Sequence, residues 1–323
     1  MTFRKALFIQ IKMLGDILML TPAIRAFKNK FPDTKLDLAV QSPGDILLRN
    51  NPYVDNIIMV PPVSWRFPFK QIKAMNELRR NHYDLAVDFL GNPRSAHFTF
   101  LTRAEMRVGY EDAQFKYAYS KTSPRVFNYS AISKLNYIGF LGIDTGNYLP
   151  EFYLDDAVEL PPEILELRDR KLVAISPVSL REHKVWPAAN FAKVAKFLAV
   201  KYQYHPVVIV GPGEKRFLDE FARQAQTAYT PLYIDDLMRL GAVIKACQLF
   251  VGNDNGPKHI AVAMGLPTFT IYSNLIDPIG WNYPDLRHHR YIGGANSDKV
   301  VPIKDIPATD IIAKIDEFIN QLD

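Results

Sequence analysis

Short apolar runs alternate with longer amphipathic ones along this chain, and the alternation happens twice. Near the N-terminus "ALFIQI" is followed by the helical pattern "DILMLTPAIRAFKNKF", then by the strand-like "KLDLAV" and "DNIIMV". After a loop rich in Pro and aromatics, "PPVSWRFPF", come the helical "KQIKAMNELRRN" and the strand "YDLAVDFL". The pattern weakens over residues 110–165, where "LPEFYLDDAVELPPEI" is acidic and Pro-rich, as interdomain linkers are. It restarts with the strands "KLVAISP", "PVVIVGPGE", "QLFVGND" and "PTFTIYS", interleaved with helical runs such as "AANFAKVAKFLAVKY", "KRFLDEFARQAQ", "DLMRLGAVIKAC" and "PKHIAVAMG". Strand–helix alternation of this kind argues for an α/β fold with parallel sheets. Two doubly wound domains are therefore expected, at 1–155 and 171–323, joined by a linker at 156–170. The final amphipathic helix, 308–321, opens on a Thr-Asp cap signal and is a candidate to pack back on the first domain. Such sheets bind ligands at the carboxyl ends of their strands, and two of them facing each other would leave an interdomain cleft.

Composition narrows the class. A chain of 323 residues with 48% apolar content has the length and core of two soluble domains. No apolar stretch approaches the ~20 residues that span a bilayer. The start "MTFRKALFIQIKMLGD" is basic, but Gln10 and Lys12 interrupt its apolar run, so it reads as a first strand and not a signal peptide. The single cysteine, Cys247, is expected to be a small core residue and fits a reducing cytoplasm. Charge is unevenly spread: residues 1–140 hold 20 Lys and Arg against 11 Asp and Glu, a balance of +9. A basic first half suggests an acidic partner, such as a phosphorylated substrate or an anionic membrane surface. No helix-turn-helix, zinc-finger or RNA-binding signature accompanies the charge, so nucleic acid is not expected.

Motifs remove several chemistries. The turn after "FIQI" reads "KMLGDI", with one Gly, and neither half carries the G-x-G-x-x-G dinucleotide fingerprint. There is no G-x-x-x-x-G-K-[ST] phosphate loop and no G-x-S-x-G nucleophile elbow. Neither an Asp-x-Asp nor a His-x-x-x-His pair is present, so no metal site is expected. What stands out is "GNDNGPKH", residues 252–259, on a turn from an apolar strand into a small-residue helix. A structural turn needs one or two such residues; a turn that receives an anion on backbone N–H groups could use most of them.

Three blocks carry a resemblance: "LGDILMLTPAIRAFKNKFPDTKLDLAV", "ISPVSLREHKVWPAANFAKVAKFL" and "LFVGNDNGPKHIAVAMGLPTFTIY". In order and spacing they resemble the family 9 glycosyltransferases, the heptosyltransferase group that builds the inner core of bacterial lipopolysaccharide. The similarity also covers "DFLGNPRSAHFTFLTRAEMRVGY" and so runs through both halves. The resemblance implies a GT-B fold of two Rossmann-like domains, with acceptor on the first and nucleotide-sugar donor, ADP-heptose by analogy, on the second. It implies an inverting glycosyltransferase that works without a metal or other cofactor, in the cytoplasm, on a phosphorylated glycolipid acceptor. A related enzyme using another nucleotide sugar, or a silent nucleotide- or glycan-binding protein, remains as an alternative.

Roles follow from the resemblance, position by position. Asp16 is the candidate base, although on spacing alone an Asp entering a helix near Ile17 reads as an N-cap. Lys184 is the candidate partner of the donor diphosphate, since an ammonium is a compact charge suited to phosphate oxygens. Ser176 and Ser179 could add hydroxyl donors, and Glu214 could accept from ribose hydroxyls; as plain residues they read as turn caps and an exposed helix start. In "GNDNGPKH", Gly and Asn permit unusual φ and close approach, and Pro257 suits a first helical turn. Asn255, Gly256, Lys258 and His259 could then turn N–H groups to phosphate, while Asp254 holds sugar hydroxyls or the turn. Lys12 stands where the family commonly has Ser, and it either meets an acceptor phosphate or marks a changed acceptor. Arg66, Lys70, Arg94 and Arg103 are the remaining acceptor-side cations, with Trp65, Phe67 and Phe69 as residues that could dip toward a membrane interface.

Overall fold

The computed structural model describes residues 1–62, 68–297 and 300–322, and the chain divides into two compact units, Met1–Tyr153 and Leu154–Asp323. The first unit contains β1 (Lys5–Gln10), β2 (Lys35–Val40), β3 (Asn56–Met59), β4 (Leu85–Asp88), β5 (Met106–Tyr110) and β6 (Lys121–Ser123). All pair in parallel, in the order β3-β2-β1-β4-β5-β6. Strands β1, β2 and β4 are buried almost throughout, as parallel strands with helices on both faces must be. The helices are α1 (Leu14–Leu18), α2 (Thr21–Lys30), α3 (Gly44–Leu48), α4 (Pro68–Arg80), α5 (Pro93–Leu101) and α6 (Ser130–Tyr137).

The helical run expected after β1 is two helices. Pro22 lies in the first turn of α2 and has no N–H to give the carbonyl of Leu18, so the ladder breaks there. That carbonyl accepts instead from Thr21 Oγ1 at 2.7 Å.

The second unit repeats the plan with β7 (Leu172–Ser176), β8 (His205–Val210), β9 (Thr230–Tyr233), β10 (Leu249–Asn253), β11 (Thr268–Tyr272) and β12 (His289–Gly293). Its parallel order is β12-β11-β10-β7-β8-β9. The helices here are α7 (Pro162–Leu165), α8 (Ala188–Tyr202), α9 (Lys215–Gln224), α10 (Leu237–Lys245), α11 (Gly256–Ala263) and α12 (Ala308–Leu322). The last, α12, places Ile311, Ile315, Phe318 and Ile319 in one core with Phe191, Leu198 and Phe269, so its apolar face is spent on this unit. Cys247 is buried at the end of α10, and burial pushes its thiol up to about 12. No described helix is long and apolar enough to cross a membrane.

Strand order reverses between β1 and β4 in one sheet and between β7 and β10 in the other. Helices leave to opposite faces at such a point, and the carboxyl edge opens into a crevice. The turns after these four strands are where a ligand would be met.

Candidate functional site

In the second unit the crevice is built by two asparagines. Asn255 caps α11, with Oδ1 accepting from the Lys258 amide at 3.0 Å. Its Nδ2 reaches across to the turn after β7 and donates to Ser176 Oγ and the Val178 carbonyl, both at 2.9 Å. Asn253 Oδ1 accepts from the Trp186 amide at 3.0 Å, which fixes the turn carrying Lys184 to the end of β10. Gly252 is required by approach and not by torsion: a Cβ there would come 2.8 Å from the Ser176 carbonyl oxygen. No residue of 252–259 has a positive φ, so the expectation of unusual backbone angles is corrected. The expectation that the Lys258 amide is available is corrected too, since Asn255 takes it. Pro257 brings no N–H, and Gly256 is left to present one at the helix start.

Charge collects around Asp254, which is 5% exposed. Lys184 Nζ lies 2.6 Å from its Oδ2, Lys258 Nζ 3.3 Å from its Oδ1, and His259 Nε2 3.8 Å from the same oxygen. Burial raises the Asp254 carboxyl, but Lys258, His259 and Lys184 outweigh it and hold the group at about 2. Lys258 is fully buried and also donates to the Tyr272 hydroxyl at 3.1 Å and the Trp281 carbonyl at 2.8 Å. Burial lowers its ammonium to about 8, against the pull of Asp254. Two lysines on one carboxylate leave a positive excess at a helix N-terminus, which suits a bound anion. Lys258 escaped the sequence reading as a charged group; the signal was its place four residues after Asp254, one turn into the helix that follows.

The remaining donor-side candidates are placed as follows. Ser176 is buried and tied to Asn255, while Ser179 is half-buried and receives the Arg181 amide at 3.5 Å. Glu214 follows β8, and its Oε2 accepts from the Gly211 amide at 2.7 Å. Burial raises its carboxyl above the ordinary range.

In the first unit Asp16 is half-buried in the first turn of α1. The cap position is Met13, with no side-chain cap bond, so the N-cap reading of Asp16 is set aside. The buried Gln10 steadies the turn, its Nε2 donating to the Asp16 carbonyl at 3.2 Å. Across the switch point, buried Asp88 closes the turn after β4, with Oδ1 accepting from the Leu90 and Gly91 amides at 2.8 and 3.1 Å. Its Oδ2 takes the Tyr119 hydroxyl at 2.7 Å, and burial raises its carboxyl. Tyr137 donates to the Asp88 carbonyl at 3.0 Å and stacks on Tyr110 at 4.1 Å, and Arg125 covers the Tyr110 ring at 3.7 Å. Sequence reasoning missed this group and Lys134 beside it.

The acceptor-side cations separate. Lys12 is exposed in the turn before Asp16. Arg94 donates to the Pro61 carbonyl and, at 3.5 Å, to Gln41 Oε1, which ties α5 to the neighbouring turns. Arg103 is exposed between α5 and β5, at the amino edge of the sheet and away from Asp16. Arg66, with Trp65 and Phe67, lies outside the described residues, as do the side chains of Phe69 and Lys70 on α4.

Comparison with known proteins bears on the fold and the family. A model of glycosyltransferase family 9 (heptosyltransferase) matches residues 72–281, well over half the chain. Lipopolysaccharide heptosyltransferase 3 of Escherichia coli is 24% identical over 337 positions, covering 94% of this chain and 96% of that one. Lipopolysaccharide heptosyltransferase 1 of Campylobacter coli is 23% identical, with 83% of each chain covered. Among solved structures, a family 9 glycosyl transferase of Veillonella parvula superposes with a TM-score of 0.81 at 19% identity, covering 99% of this chain and 98% of that one. The E. coli heptosyltransferase WaaC with ADP-2-deoxy-2-fluoro heptose gives 0.79 at 17% identity, with 97% and 99% covered. On this evidence the chain has the GT-B fold, is a transferase, and belongs to glycosyltransferase family 9, the heptosyltransferase family.

Proposed function

We propose that this protein transfers a heptose from ADP-heptose to a lipopolysaccharide-type glycolipid, with inversion at the anomeric carbon. The observation that carries the reading is the Lys184–Asp254–Lys258 cluster at the β7/β10 switch point, beside the start of α11. The donor diphosphate sits there, with Lys184, 14% exposed and held by Asp254, meeting its oxygens. Glu214 is assigned to the ribose hydroxyls, and the α11 start, with Gly256, to the phosphates. The acceptor lies on the first unit, with Lys12 as its cation, and Asp16 takes the proton of its hydroxyl. The acceptor oxygen forms a bond to the anomeric carbon, the bond from that carbon to the diphosphate oxygen breaks, and ADP leaves with its charge opposed by Lys184 and the helix start. The basic first half fits a phosphorylated acceptor at the inner face of the cytoplasmic membrane.

Calorimetry with ADP, UDP and GDP tests the donor, and ADP is expected to bind tightest; preference for UDP or GDP would assign another nucleotide sugar. Asp16→Asn is expected to keep ADP affinity within about twofold and to lose turnover by about 100-fold or more. ADP-heptose turnover by the parent protein is expected to survive EDTA, because side-chain cations take the leaving charge; loss restored by a divalent ion would reject that assignment.

A further inference from the structure

Lys258, the third residue of α11, is among the largest fully buried side chains of the second unit. An ammonium in that position is costly unless it is paired. Three partners surround its Nζ. The hydroxyl of Tyr272, which ends β11, accepts at 3.1 Å, the Trp281 carbonyl accepts at 2.8 Å, and Asp254 Oδ1 lies 3.3 Å away. A lysine has three N–H donors, so with these partners and no exposed surface it has none to offer a ligand. Lys184 is its opposite. It is 14% exposed, donates to Asp254 Oδ2 at 2.6 Å, and meets no second acceptor among the described residues. The Trp281 ring flanks its ammonium at 5.9 Å. Asp254 thus stands between a sealed cation and an open one, with one oxygen toward each. His259 Nε2, 3.8 Å from Oδ1, also faces this carboxylate. Lys184 and Asp254 alone would cancel, and a neutral pair attracts a diphosphate weakly. With Lys258 two ammonium groups face one carboxylate, and the excess falls on the exposed one.

We infer that Lys258 is a positioning residue of the donor site: it answers Asp254 from inside, so that this carboxylate holds Lys184 in place without cancelling its charge toward the diphosphate. The inference rests on the reading of this turn as the diphosphate site. Lys258 touches no phosphate and exchanges no proton; Lys184 makes the contact. The hydrogen bonds to Tyr272 and Trp281 keep the Lys258 ammonium fixed behind Asp254. Burial lowers that ammonium to about 8, so it is charged at pH 7.

The test is calorimetry at pH 7 on the full-length protein, with ADP beside adenosine, which lacks the phosphates. Lys258→Met removes the charge and the hydrogen bonds. Lys258→Gln removes the charge but keeps a donor for Tyr272 or Trp281, and it carries the test if Lys258→Met does not fold. Both should weaken ADP about tenfold or more and leave adenosine within about twofold. Adding Asp254→Asn to either leaves Lys184 unopposed again and should bring ADP back to within about threefold of the parent. Equal losses of ADP and adenosine, parent-like ADP affinity in either single variant, or no recovery on adding Asp254→Asn would each make Lys258 a structural residue and overturn the inference. If the parent prefers UDP or GDP, the same pattern read with that nucleotide and its nucleoside upholds the inference while the ADP-heptose reading fails. A parent that binds no nucleoside diphosphate overturns both.

Discussion

Asp254 concentrates much of the second unit's electrostatics in one residue, since a single carboxylate answers two lysines and a histidine. Its folded value of about 2 lies below the ordinary 3.8, so it contributes stability above about pH 4. That contribution, roughly 2 kcal/mol, is lost as pH falls through about 2. Asp254→Asn leaves Lys258 buried with no carboxylate at hand and is expected to cost about 3–5 kcal/mol in denaturant unfolding; a loss below 1 kcal/mol would show that the lysines had found other partners. At this scale the sequence was half legible. Asp254 and Lys184 lie in turns whose composition is unusual, and they could be picked out. Lys258 sits inside a helical pattern, where a lysine reads as solvated, and Lys134 lies where the alternation weakens; only tertiary packing puts each on the buried side. Asp88 looked like the end of a strand, and nothing local shows that its carboxylate folds back onto the following turn.

Among the elements, the start of α11 is held to the turn after β7 by one side chain, and this makes the two functions of Asn255 separable. Asn255→Asp keeps the cap and favours the helix dipole, but it loses both Nδ2 donations and brings a negative charge to the proposed phosphate position. Helix stability should change by less than about 1 kcal/mol while ADP affinity falls about tenfold or more, read by thermal melting beside calorimetry. Gly252→Ala sets a Cβ against a backbone carbonyl that cannot swing aside, and should cost about 1–3 kcal/mol and weaken ADP binding with it. The alternation of runs revealed the central strands because burial on both faces makes them continuously apolar. Strands β5, β6, β9 and β12 were missed for the converse reason. β5 is interior but only half-buried at its start; the others are edge strands, and sequences such as "KTS" and "HRYIG" carry the polar residues that an edge tolerates.

For the molecule as a whole, the two sheets share a plan but differ in sequence, and each sheet meets its ligand edge through its own switch point. The fold was readable because that plan is written twice, and the family because its blocks fall in both halves. The stretch before the second unit was not, because its order comes from contacts with a helix far away in the chain. Arg25 on α2 pairs with Glu151 and donates to the Asn147 carbonyl at 2.8 Å, while Thr21 Oγ1 accepts from the Glu151 amide at 2.8 Å. Residues 147–151 are thereby stitched to the first unit, whereas Asp155, Asp156 and Ala157 are exposed. Limited proteolysis followed by mass spectrometry should make its first cut between the units at 155–160 and not at 140–150. Anyone dividing the gene product for separate expression should keep that stitched strip with the leading piece. A shorter cut would strand a nearly buried guanidinium without its carboxylate, and the resulting fragment would misbehave for reasons unrelated to sugar transfer.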